Sequence, residues 1–191
     1  EHLLCEHDRL DRNVDVLTLL HLYEYVDLTS AGYQPREGEN VFFNNLFLED
    51  SIPIEERWKK VSGVIDNIKY GSYYRPTKIA LKDLYGIDDL NDDTYMEATE
   101  KIRAANKKGL YKSILVDKCN IKKSLVQNGR IEGQDPADIF IPLLANVDFY
   151  QFNGIDFIDG ISEKHGMKVT DIESYLQCLD MEMEDARAKG A

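Results

Sequence analysis

The sequence predicts an α/β chain, helix-rich overall, holding part of a parallel β/α barrel with a large all-helical insertion after the first strand. Three observations lead there. Residues Glu1-His2-Leu3-Leu4 read as the end of a strand whose earlier half is absent. Apolar residues then recur at helical spacing from about Asn13 to Asn120. From Asn120 onward the pattern changes to short apolar runs separated by turn residues, followed by an amphipathic helix. The divisions expected are 1–12 for the strand end and its loop, 13–119 for the helical insertion, and 120–191 for the second and third strands with their helices.

Taken in order, the first helix is expected from Asn13, a good capping residue, through Val14, Leu17, His21 and Leu28, with Gly32 as its stop. Gln34 to Asn45 is a polar loop with Pro35 and Gly38. A second helix opens near Pro53, with Glu55 and Glu56 placed to favour the helix dipole. Trp58, Val61, Ile65 and Ile68 form its buried stripe. Gly71-Ser72 breaks that pattern, Pro76 opens a third helix through Leu81 and Leu84, and Gly86 ends it. Thr94-Tyr95-Met96-Glu97 has the capping-box spacing and starts a fourth helix reaching about Asn106. A short fifth helix runs from Leu110 to Lys118. Asn120 to Val126 and Ile139 to Val147 read as strands, although Pro142 would remove a ladder donor. A short helix follows near Ile158 to Lys164. Thr170 to Glu173 is a second capping box, opening a helix with Ile172, Tyr175, Leu176, Leu179 and Met183 on one face. Three strands leave a barrel open, so an unpaired edge and a bare last helix are expected. The final Gly190-Ala191, with no strand after it, makes that end look cut as well.

Bulk composition narrows the function classes. Of 191 residues, 43% are apolar and 30% charged, a globular composition. The formal net charge of −12 argues against nucleic acid or an anionic membrane as partner. The longest apolar run, Ile139 to Val147, is too short to span a bilayer. Cys5, Cys119 and Cys178 lie far apart and make neither a disulfide framework nor a zinc ribbon; free thiols of this kind fit the cytoplasm.

Several stretches together resemble the amidohydrolase superfamily, in the branch similar to uronate isomerase. Glu1-His2-Leu3 resembles the end of that family's first-strand His-x-His motif. Leu81-Lys82-Asp83-Leu84-Tyr85-Gly86-Ile87-Asp88 resembles a helix end and turn in its helical insertion. Asp117-Lys118-Cys119-Asn120-Ile121 resembles the lead-in to its second strand, and the final helix with Ala186 to Ala191 resembles the run into the fourth. The resemblance implies a partial (β/α)8 TIM barrel of the metal-dependent hydrolase type and a divalent metal, zinc above all. His2 matches the second histidine of the metal motif, and the remaining ligands have no counterpart here. It implies a small-molecule substrate, with a metal-bound hydroxide attacking an amide, ester or lactone-like carbon. Aldose–ketose isomerisation of a uronate is the alternative within the same likeness. In Tyr73-Tyr74-Arg75, Tyr74 matches a substrate-facing tyrosine of that branch and Arg75 replaces a histidine. An arginine there could hold a carboxylate through a two-pronged pair.

Plainer readings stand beside these. Tyr73 to Arg75 could be packed tyrosines with a surface arginine. His7, near Cys5 and Glu6, has no register suited to a shared metal. His21 reads as a satisfied buried or half-buried histidine, His165 as a helix C-terminal residue, and Trp58 as core. Asp88 to Asp93 lacks the ligand spacing of a calcium loop. Cys119 has no histidine placed to activate it. A third functional class, a non-catalytic helical interaction module from Asn13 to Asn120, accounts for the helices but has no need of the strands. The bare last helix further predicts a homo-oligomer, or completion by the remainder of the same protein.

Overall fold

Helix accounts for most of the described residues, because the apolar periodicity of this chain is overwhelmingly that of helices. The computed structural model describes residues 5–41, 44–126, 138–142, 149 and 154–188. The expectation of a partial (β/α)8 barrel is overturned. Among the described residues the strands are β1 (Ser124–Val126) and β2 (Phe140–Pro142), a two-stranded parallel sheet pairing Ser124 with Phe140, Leu125 with Ile141 and Val126 with Pro142. The physical reason is local. Asn120 takes φ 54°, outside the extended region, and Ile121 to Lys123 stay exposed, so pairing begins only at Ser124. Residues 143–147 of the second expected strand lie outside the described residues, as do residues 1–4 of the first.

The chain divides into two units, Asp8–Leu110 and Glu1–His7 with Tyr111–Ala191. The short helix α1 (Glu6–Asp11) runs into the helical unit, where Asn106 Nδ2 donates to the Arg9 carbonyl at 3.0 Å and Arg9 donates to Asn106 and Lys107. The single first helix expected from Asn13 is two, α2 (Val16–Leu19) and α3 (Tyr23–Ala31). Asp15, not Asn13, is the cap. Its carboxylate accepts from Leu17 N at 3.0 Å and Thr18 N at 3.3 Å, and Thr18 Oγ1 accepts from Asp15 N in return. Asn13 N donates instead to Asp50 Oδ2. Gly32 ends α3 at φ 120°, as its position suggests.

α4 (Ile54–Ile65) follows Pro53 and buries Trp58, Val61 and Ile65, with Ile68 in the turn beyond. These residues share one core with Leu17, Leu28, Phe47, Leu81 and Ile102. α5 (Tyr74–Tyr85) begins two residues before Pro76. Proline is tolerated there because first-turn N–H groups have no partner within the helix. Its end is a Schellman turn: Gly86 adopts φ 68°, Gly86 N donates to Lys82 O, and Ile87 N donates to Leu81 O at 3.0 Å. α6 (Tyr95–Ala105) starts after Thr94, but the expected box does not form. Thr94 Oγ1 turns back to accept from Asn91 N and donate to Asp89 O at 2.7 Å, while Glu97 pairs with Lys101. Trp58 stacks on Tyr95 at 4.9 Å, and its indole donates to Asp92 Oδ1 at 2.7 Å.

In the other unit, the expected fifth helix is a π-helical segment, Lys112–Lys118. Tyr111 packs edge-on against Phe140 and clusters with Val126 and Ile139. α7 (Ile155–His165) ends at Gly166 with φ 62°. α8 (Ile172–Ala188) is capped one residue later than expected: Asp171 Oδ1 accepts from Ser174 N at 2.8 Å, and Ser174 Oγ accepts from Asp171 N.

Candidate functional site

The residue types that could do chemistry fall at three places. The first is the amino-terminal stretch. His2, the expected metal ligand, lies outside the described residues. Cys5 and Glu6 are buried and His7 is exposed, so these three do not converge. Among the described residues no group of three or more His, Cys, Asp or Glu side chains is placed to hold a metal ion.

The second place is the start of α5. Tyr74 is 1% exposed, pointing into the core of the helical unit. Burial pushes its hydroxyl up to about 12, and the Lys69 ammonium partly opposes that rise. Arg75, the next residue, is exposed. Successive helical residues point about 100° apart, so the fold sends these two side chains in different directions instead of converging them on one ligand. Arg75 carries no ion pair among the described residues. Tyr73 stacks on Tyr23 of α3, ring centroids 4.9 Å apart and nearly parallel, both rings half-exposed. On the same two helices Glu24 of α3 is buried and accepts a hydrogen bond from Thr77 Oγ1 of α5. Burial raises the Glu24 carboxyl above its ordinary range, against the lowering effect of Thr77.

No family model matches this chain, and neither curated proteins nor solved structures yield a match.

The third place is the interior of the helical unit, and the sequence reading missed it. Arg57 is fully buried and pairs with the equally buried Asp15. Its Nε donates to the Ile52 carbonyl at 2.8 Å and its other amino group to the Phe47 carbonyl. Asp15 therefore caps α2 and neutralises Arg57 at once. A signal existed: Arg57, Val61 and Ile65 stand at four-residue intervals, so the arginine belongs to the buried stripe. Glu24 carries the same signal between Leu20 and Leu28. A charged residue on an apolar face needs a partner, which spacing shows without naming it. His21 likewise follows its expectation, Nδ1 donating to the Thr18 carbonyl at 2.8 Å, with burial lowering its pKa.

Proposed function

We propose that the chain contributes to a metal-dependent hydrolase of the amidohydrolase type, acting on an amide, ester or lactone-like carbon in a small molecule. One observation carries the reading beside the motif resemblance. Asp117 to Ile121 leads into β1, and β1 pairs in parallel with β2. Parallel strands need a crossover connection, a device that a purely helical interaction module does not require. The Schellman stop at Gly86 is compatible with the same reading, since Leu81 to Asp88 is the stretch that resembles a helix end and turn. Three cysteines that form no disulfide among the described residues favour a cytoplasmic setting. Among the described residues no helix is long and apolar enough to cross a membrane.

The test is metal analysis and turnover of the chain expressed together with whatever residues its reading frame encodes on either side. About one zinc per chain, lost in His2→Ala, with hydrolysis in a panel of amides, esters and lactones, is the expected result. Metal-free protein of unchanged stability, inert to that panel, overturns it in favour of the helical interaction module. A uronate-isomerising activity is the second reading, favoured by the exposed guanidinium of Arg75, which makes no ion pair among the described residues. It expects Arg75→Ala to raise KM for a uronate about tenfold, and an unaltered KM removes it.

A further inference from the structure

Between α7 and α8 runs a groove of about 500 Å³, lined by Ile155, Ile158, Val169, Ile172 and Tyr175 with Asp171 at its end. Its lips are two isoleucines left largely in water, Ile155 at 72% and Ile172 at 67% exposure. The apolar surface continues along α8. Ile172, Leu176, Leu179 and Met183 fall within an arc of about 60° on the helix wheel, and Leu176 and Met183 are exposed. Their spacing of four, three and four residues is the seam that one helix offers another. A soluble surface rarely keeps such a continuous strip bare.

Charge selects the occupant. Asp180, Glu173 and Glu184, all exposed, lie about 40–80° round the wheel from the edge of the strip, with the exposed cation Arg187 between. α7 carries exposed Asp159 about 40° round the wheel from Ile155, and Asp171 lines the end of the groove. A second copy of this chain laid antiparallel on the strip would set those carboxylates against their equals, which like-charge repulsion disfavours. A helix with lysines or arginines flanking an apolar stripe would meet both the isoleucines and the acidic rim.

We propose that the α7–α8 groove docks an amphipathic helix bearing basic residues on both sides of its apolar face. Ile172 and Leu176 are the contacts that hold it, and Glu173, Asp180 and Glu184 set its orientation and choice of partner. The proposal is independent of any hydrolase activity.

The experiment uses the whole 191-residue chain and a labelled synthetic helix of leucine and lysine, about 15 residues long, followed by fluorescence anisotropy. The matched leucine–glutamate helix is the control. Expected are binding of the basic helix only, a loss of about tenfold in affinity for Ile172→Glu and for Leu176→Glu, and a partial weakening by salt. Both positions face solvent, and circular dichroism checks that the variants keep their helices. Three results overturn the proposal: no binding at all, binding that salt abolishes and Ile172→Glu leaves unchanged, or self-association in sedimentation that Ile172→Glu removes. The last would hand the groove to a second copy.

Discussion

α4 and α8 carry the same kind of sequence signal and meet opposite fates. Trp58, Val61, Ile65 and Ile68 on the one side, and Ile172, Leu176, Leu179 and Met183 on the other, are both apolar stripes at helical spacing. Val61 is 0% exposed and Ile172 is 67% exposed. Amphipathicity states that a face gains by leaving water; it does not supply the surface that covers it. In Asp8–Leu110 the covering surface is present: α3, α5, α6 and the turn at Leu46–Leu48 bury the α4 stripe among one another. α8 buries only Cys178 fully and lays its intended core face beside an open groove.

That contrast can be pressed hardest at the buried ion pair. Arg57→Ala leaves the Asp15 carboxylate without its counter-charge inside the core, and should destabilise the helical unit by about 3–5 kcal/mol. Urea unfolding followed by the Trp58 fluorescence measures it. A change within the noise would mean the pair contributes nothing that water cannot replace. One step smaller is the matched pair Ile65→Ala and Ile172→Ala. The first should cost about 2–5 kcal/mol and the second less than about 0.5 kcal/mol. Equal losses at the two sites would show that the α8 face is covered in solution.

The smallest effect concerns pH. Glu24 has a folded pKa raised above its ordinary 4.5, by burial first. The stability it contributes is therefore complete below about 4.5 and is lost as pH rises through the folded value. Glu24→Gln should remove that part of the pH dependence, making the variant relatively more stable near neutrality and no different in acid. Parallel pH profiles of the two proteins would contradict the assignment.

Helix existence was legible almost throughout, since stripes such as that of α4 need only local counting. Stops were legible too: Gly32 and Gly86 both end helices with positive φ, a conformation that a Cβ disfavours. Caps were less so. Thr94 and Thr170 have the spacing of a capping box, yet Thr94 turns toward the Asp89–Asn91 loop and Asp171 takes the role expected of Thr170. A capping side chain chooses among donors within reach, and sequence spacing does not rank them. The strand expected from Asn120 begins only at Ser124, because a short apolar run has no length to distinguish an extended segment from a packed loop. Of the candidate site, the exposed arginine at position 75 was legible as a surface cation, whereas the stacking of Tyr23 on Tyr73 links residues fifty positions apart and has no local trace.

What the sequence alone determined is which segments coil, where glycines stop them, and that a strongly acidic, helix-rich chain would result. Those follow from interactions within a few residues: periodic burial, capping and conformational freedom at glycine. What only the tertiary structure decided is which apolar faces found cover, that Asp15 answers Arg57 across the core, and that no barrel sheet closes among the described residues. These depend on which distant surfaces meet. Burial, desolvation and ion pairing take their sign from that encounter, not from the order of residues along one helix.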